Sequence, residues 1–184
     1  LGLNLAAALE ALAPCGARLE AVSFESDAEL LALAFEVRQP PECERWAAPV
    51  RAVLRAALDR PGERVTAPWG SLRLELGDAR ASVRRWRTGA FDAVFLDPFA
   101  PSVEPQLWSA EFLADLAAAM APHAVLSTYS ASMAVRAGLA AAGLRVGQGP
   151  RVGRKAQGTL ASFTAPLPPL HPRLLRKLAR RLAR

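Results

Sequence analysis

Three acids of this chain, Glu25, Asp78 and Asp97, follow short runs of alternating or apolar, β-prone residues. Residues 91–101 carry the strongest signal, reading Phe-Asp-Ala-Val-Phe-Leu-Asp-Pro-Phe-Ala-Pro. The run stops at Asp97, and a turn of Pro98, Phe99, Ala100 and Pro101 follows. Such a run predicts a buried strand of a parallel sheet with the acid at its carboxyl end. Ligands of open α/β sheets bind in the crevice outside those ends, so Asp97 is expected to face a site. Glu25 closes the strand expected over Arg18–Glu25 and lies 23 residues after Gly2. Nucleotide-binding folds place an acid about 20 residues past their glycine loop, where it accepts from ribose hydroxyls. Gly2-Leu3-Asn4 leads into a helix, and amides at a helix start suit an anion or a carboxylate. Gly77-Asp78 opens a helix at Ala79, and a short acid there can accept from an adenine amino group. Each reading has a plainer counterpart: a helix-start glycine, a solvated strand-end acid, an ordinary N-cap. Taken together, three carboxylates at successive strand ends repel one another unless a ligand brings positive charge. The sulfonium and amino group of S-adenosylmethionine would do so.

The elements that must position these acids alternate. Helices are expected over Leu3–Leu12, Ala28–Val37, Glu44–Asp59 (with Pro49 as a kink or a break), Ala79–Trp86, from Ser109 or Trp108 to Met120, and from a cap at Ser130 or Ser132 to Ala142, while Arg173–Arg184 is expected as a basic amphipathic helix or a frayed tail. Strands are expected over Arg18–Glu25, Ser71–Leu76, Phe91–Leu96, Ala124–Tyr129, Leu144–Val146 and Thr159–Phe163. Alternation of this kind marks a doubly wound, largely parallel sheet with right-handed crossovers.

At 184 residues the chain is long enough for one domain with a real core. A net charge of +6 and a pI near 10.5, carried almost entirely by arginine, favour a polyanionic partner. The Ala, Arg, Leu and Pro bias of a GC-rich genome accounts for part of that balance. No apolar run approaches the roughly 18 residues of a membrane span, and no signal peptide is visible. Cys15 and Cys43 are isolated and read as free thiols. No metal cluster is expected, since His123 has no second histidine except the distant His171. Trp46, Trp69 and Trp86 are expected to be core or lid aromatics. Residues 1–165 are expected to form the main domain, and 166–184 a Pro-rich link and basic tail.

These residues resemble the MnmC-type tRNA methyltransferase family along nearly the whole chain. Gly2-Leu3-Asn4 is similar to the end of the family's Gly-x-Gly-Thr-Gly-Leu-Asn loop, and Val22-Ser23-Phe24-Glu25 to its second strand. Gly77-Asp78 resembles its adenine-side motif. Phe91–Pro101 with Trp108 downstream resembles its most distinctive segment, and Ser127-Thr128-Tyr129-Ser130 with Val135-Arg136 and Leu139 the unit after it. Val152-Gly153-Arg154-Lys155 resembles its Gly-x-Gly-Arg-Lys signature, although Ala156-Gln157-Gly158 replaces the usual continuation. The resemblance implies a Rossmann-like class I S-adenosylmethionine-dependent methyltransferase. Its mostly parallel seven-stranded sheet would end in a C-terminal antiparallel hairpin, with the first strand expected upstream of Leu1. It also implies the stand-alone form, without the flavin oxidase domain.

The activity implied is N-methylation of the aminomethyl group of 5-aminomethyl(-2-thio)uridine at the tRNA wobble position, in the cytoplasm. Gly2, Leu3, Asn4, Glu25, Gly77, Asp78, Ala79 and Asp97 would hold S-adenosylmethionine. Asp97, helped by the carbonyls of Asp97 and Pro98, would orient the amine. Pro98, Phe99 and Ala100 would line the base pocket, with Phe99 a stacking candidate. Arg154 and Lys155 would hold phosphates of the anticodon stem-loop. The alternatives are another amine methyltransferase or an aminopropyl transferase on the same fold, or a non-catalytic RNA-binding domain. A membrane-surface role for the basic tail is the weaker reading of that segment.

Overall fold

The computed structural model describes residues 2–36, 41, 44–150 and 157–183, and the chain divides into two units, Leu1–Ser82 and Val83–Arg184. In the first unit, α1 (Leu3–Leu12) leads through a short 3-10 turn to β1 (Leu19–Glu25). Then come α2 (Ala28–Ala34), α3 (Glu44–Leu58), β2 (Arg64–Ala67), β3 (Gly70–Leu76) and α4 (Ala79–Val83), which reaches the unit boundary. Asp27 caps α2, its carboxylate accepting from the Leu30 amide at 2.9 Å. Val50, Val53, Leu54 and Ala57 form the buried stripe of α3 at helical spacing. The helix runs through Pro49 without a break, so the expected interruption there is a single missing backbone bond.

The first sheet has the order β1-β3-β2, with β1 and β3 parallel and in register from Leu19↔Gly70 to Glu25↔Leu76. β2 is antiparallel to β3 and has no counterpart in the sequence reading. Gly70 makes the β1–β3 pairing possible: at φ 145° a Cβ there would sit 1.9 Å from the Leu19 carbonyl oxygen. Leu72 and Leu74 from β3, Leu31 and Phe35, and the α3 stripe make the buried core of this unit. Trp46 and Trp69 pack on its margin, as core aromatics do.

In the second unit, β4 (Phe91–Phe95) is followed by a 3-10 turn over Pro105–Trp108, α5 (Ala110–Ala119) and β5 (Met120–Thr128). The chain continues through α6 (Met133–Ala141), β6 (Arg145–Gln148), β7 (Thr159–Ser162) and α7 (Pro172–Leu182). The sheet order is β4-β5-β7-β6. β4 and β5 are parallel, whereas β7 runs antiparallel to both β5 and β6, giving the expected C-terminal hairpin. The core holds Phe112, Leu113 and Leu116 of α5, Leu126 of β5 and Leu139 of α6. Each such side chain contributes about 1.5–3 kcal/mol on burial. Gly138 lets α6 approach α5, since a Cβ there would lie 2.6 Å from the Leu113 Cδ1 atom.

The α/β class holds, and among the described residues the strands form two mixed sheets, one in each unit. Among the described residues the Phe91–Phe95 strand is covered on one side only. It is the edge of its sheet, paired on one side to β5, and Phe95 is 51 % exposed. An apolar run signals a strand, but its burial depends on a neighbour at each edge.

Candidate functional site

In the first unit the parallel pairing of β1 and β3 brings their carboxyl ends together. The Gly77 amide donates to the Glu25 carbonyl at 2.9 Å, so Glu25 and Gly77-Asp78 form one sheet edge. Glu25 Oε1 accepts from the amides of Ser26 (2.8 Å) and Asp27 (3.1 Å). That fixes one carboxylate oxygen and leaves Oε2 without a hydrogen-bond partner among the described residues, suited to a ligand hydroxyl. Gly77 has φ 120° with open space where a Cβ would point, so its backbone angle rather than crowding calls for glycine.

Asp78 accepts from the Arg80 amide at 2.8 Å and pairs with the Arg80 guanidinium at 2.7 Å. The plain capping reading is thus realised, and Ala79 is the first residue of α4. The Arg80 pair is solvent-exposed, and such pairs exchange for other partners at little cost. Gly2, at φ 81°, caps α1, and a Cβ on it would press on Leu54 and Val50 at 3.1 and 3.2 Å. Packing against α3 is therefore a second reason for that glycine. Leu3 and Asn4 form the first turn of α1.

In the second unit, Asp97 is exposed directly after β4. Three hydrogen bonds from elsewhere fix the loop that follows it. The Tyr129 hydroxyl donates to the Pro98 carbonyl at 2.9 Å, and Trp108 Nε1 donates to the Phe99 carbonyl at 2.9 Å. The Phe99 amide donates to Glu104 Oε2 at 2.9 Å. Trp108 is itself buried and meets Tyr129 edge-on at 6.0 Å between ring centroids. The loop is held rigidly while the Phe99 ring stays 58 % exposed. The Pro98 carbonyl, expected to help orient an amine, already accepts from Tyr129, which limits what it can give a substrate. Burial, then the charges of Asp97 and Glu104, raise the Tyr129 pKa above its ordinary value of 10.0. The hydroxyl is therefore a protonated donor throughout the neutral range.

A raised folded pKa means that the Tyr129 contribution is complete below about pH 10 and fades as pH rises above it. Tyr129→Phe is expected to cost about 0.5–1.5 kcal/mol. Thermal unfolding at pH 7 and at pH 10.5 checks this: the gap between the wild type and the variant should narrow at the higher pH. A gap unchanged across that range would show that the hydroxyl bond to Pro98 is not what the tyrosine supplies.

Arg154 and Lys155 lie outside the described residues, but the residues flanking that segment are described. Gly149 donates to the Gly158 carbonyl at 3.1 Å, and Gly158 donates to the Pro150 carbonyl at 2.9 Å. Arg136, 2 % exposed on α6, reaches this closure. Its Nε donates to Thr159 Oγ1 at 3.0 Å and its Nη2 to the Gly158 carbonyl at 3.3 Å. Thr159 Oγ1 in turn donates to the Ser130 carbonyl at 2.6 Å. A Cβ on Gly158 would come within 2.5 Å of the Thr128 carbonyl oxygen, so glycine is required there.

The anchoring roles of Glu104, Tyr129 and Arg136 have no counterpart in the sequence reading. A lone charge in the otherwise uncharged α6 was the available signal for Arg136. Glu104 and Tyr129 gave none, because their partners are set by the loop's path.

The chain is similar to known proteins over most of its length. The MnmC protein of Pseudomonas aeruginosa strain PAO1, "tRNA 5-methylaminomethyl-2-thiouridine biosynthesis bifunctional protein MnmC", is 34% identical over 175 residues, covering 90% of this chain and 26% of that protein. The protein of the same name from Chromobacterium violaceum is 38% identical over 170 residues, covering 84% of this chain and 24% of its own length. The chain therefore spans about a quarter of these curated relatives. The crystal structure of MNMC2 from Aquifex aeolicus matches with a TM-score of 0.73 and 32% identity, over 97% of this chain and 55% of that one. A family model described as S-adenosyl-L-methionine-dependent methyltransferase matches residues 30–164, a span that holds the Gly77-Asp78 turn, the Asp97 loop and the Arg136 anchor. The chain belongs to the S-adenosyl-L-methionine-dependent methyltransferase family.

Proposed function

We propose that this chain methylates the primary amine of 5-aminomethyl(-2-thio)uridine at the wobble position of tRNA. One observation carries the reading: an exposed acid, Asp97, begins a loop fixed by three hydrogen bonds that leave an aromatic ring in the open. The similarity to MnmC proteins over most of the chain supports it.

An alkylammonium has no lone pair and titrates near 10, so it must lose a proton before its nitrogen can react. Asp97 accepts a hydrogen bond from that nitrogen, orients it and acts as the base through which the proton passes to solvent. Phe99 offers a face on which an unstacked base can rest. Pro98 and Ala100 complete that wall, and Arg154-Lys155 supply positive charge for anticodon phosphates. S-adenosylmethionine, when bound, supplies an electrophilic methyl group on a sulfonium. Glu25 suits its ribose, Asp78 and Ala79 its adenine, and the α1 start at Gly2, Leu3 and Asn4 its carboxylate. In this reading residues 1–165 are the methyltransferase domain, and the work is cytoplasmic because its substrate is tRNA.

The test is transfer of labelled methyl to tRNA that carries 5-aminomethyl-2-thiouridine, read by nucleoside mass spectrometry, beside calorimetric titration with S-adenosylmethionine. The wild type should convert that nucleoside to its methylaminomethyl form. Glu25→Ala should weaken cofactor binding by about tenfold to a hundredfold, the value of a charge-assisted hydrogen bond. Cofactor binding without methyl transfer to this tRNA would overturn the acceptor assignment. Unchanged binding by Glu25→Ala would remove that residue from the donor site.

A further inference from the structure

We infer that the outer face of α7 is a contact surface for the phosphate backbone of RNA. α7 opens with Pro172 at its first position, and the His171 side chain accepts from the Arg173 amide at 3.3 Å. Leu174 and Leu178, one turn apart, pack with Leu170 against Met133, Ala137 and Ala140 of α6 and Val146 of β6. That packing fixes the helix on its unit and decides which face is left outside.

Arg173, Arg176, Lys177, Arg180 and Arg181 are all exposed. At 100° per residue they fall within an arc of about 140°. The helix has no acidic residue, and none of the five forms an ion pair among the described residues. Folding alone does not favour this pattern. Like charges at i, i+4 repel, as Arg173 with Lys177 and Arg176 with Arg180 must. Arg173 also sits at the positive end of the helix dipole; Arg180 and Arg181 in the last turn are the two the dipole favours. Lys177, Arg180 and Arg181 border a depression of about 500 Å³ with Met133 at its margin.

The chemistry fits a polyphosphate chain. Four of the five groups are guanidinium forks, which bind phosphate oxygens in pairs. A row of such groups supplies affinity without reading sequence. An anionic membrane is the less suitable partner, because an interfacial helix must put its apolar face into lipid. Here Leu178 is already buried in the protein, and the remaining leucines, Leu175 and Leu182, are only half-exposed. The assignment of RNA rests on the tRNA reading above.

The experiment measures binding of a tRNA transcript by fluorescence anisotropy between 50 and 200 mM KCl. It compares the wild type with a variant carrying Arg173→Gln, Arg176→Gln, Lys177→Gln, Arg180→Gln and Arg181→Gln. The milder pair Arg176→Gln with Lys177→Gln covers the case of a misfolded quintuple variant. Each lost phosphate contact removes about 0.7–0.9 from the slope of log K against log salt. The pair should flatten the slope by about 1.5 and the quintuple variant by about 3 or more, with affinity for S-adenosylmethionine unchanged. An unchanged slope in both variants would overturn the α7 assignment. So would wild-type binding to phosphatidylglycerol vesicles that the substitutions abolish while tRNA binding persists. A wild type that binds no tRNA would overturn this surface and the tRNA reading together. Binding lost through α7 without any methyl transfer by the wild type would leave the surface standing and refute only the reaction.

Discussion

Asp97→Asn should lower the rate of methyl transfer to the wobble amine by about 100-fold to 10,000-fold while leaving the protein folded. Asparagine keeps the size of the side chain and one oxygen acceptor, but it loses the negative charge. The charge stabilises the ammonium at rest, since an opposite charge favours the charged form, so its catalytic use is as a positioned acceptor that takes the proton as it leaves and hands it to solvent. Substitution should cost little stability, because Asp97 is exposed and the loop after it is fixed through Pro98 and Phe99. Kinetics separate this role from a binding one. A group that acts on the proton lowers kcat, whereas one that merely attracts a cationic substrate raises KM with kcat intact. The rate deficit should also shrink as pH rises toward the amine's own pKa, where solvent removes the proton unaided. Activity within tenfold of the wild type at neutral pH would eliminate Asp97 as the proton acceptor.

The parts of this fold legible in the sequence are those set by short-range patterns. β1, β3 and β4 announce themselves by β-prone runs that stop at Glu25, Gly77-Asp78 and Asp97, and the helix starts at Asp27, Ser109 and Ser132 by their capping side chains. The Gly77 turn after β3 is similarly local. β2 stays hidden because four residues, Arg-Val-Thr-Ala, carry too little periodicity to stand out from a loop. The exposure of β4 depends on which strands flank it, and a one-dimensional pattern does not contain that. The candidate residues divide the same way. The acids are visible in the sequence, but the bonds that hold the second unit's loops link Tyr129 to Pro98 across 31 positions and Arg136 to Thr159 across 23. Such pairings come from sheet order and helix packing.

The second large effect is expected at Arg136. Arg136→Leu should destabilise the protein by about 3 kcal/mol, in the range seen when buried charge-assisted networks lose a member. Arg136 is 2 % exposed, and burial pulls its pKa below the ordinary arginine value, although it remains charged at any physiological pH. It donates to Thr159 Oγ1 and to the Gly158 carbonyl, both neutral. Leucine fills part of the space but leaves the Thr159 hydroxyl oxygen without the Arg136 donor in a buried place, and the Gly158 carbonyl with the Gly149 amide alone. For a chain of this size the loss should appear as a fall in Tm of about 6–12 °C. Arg136→Lys tests the geometry separately. A single ammonium cannot span two acceptors as the planar fork does, so part of the stability should remain lost. Those acceptors close the base of the segment that carries Arg154 and Lys155, so affinity for tRNA should fall in both variants while affinity for S-adenosylmethionine holds. A Tm within 2 °C of the wild type for Arg136→Leu would show that the loop base is held by its own backbone bonds at Gly149 and Gly158, and would return Arg136 to a packing role.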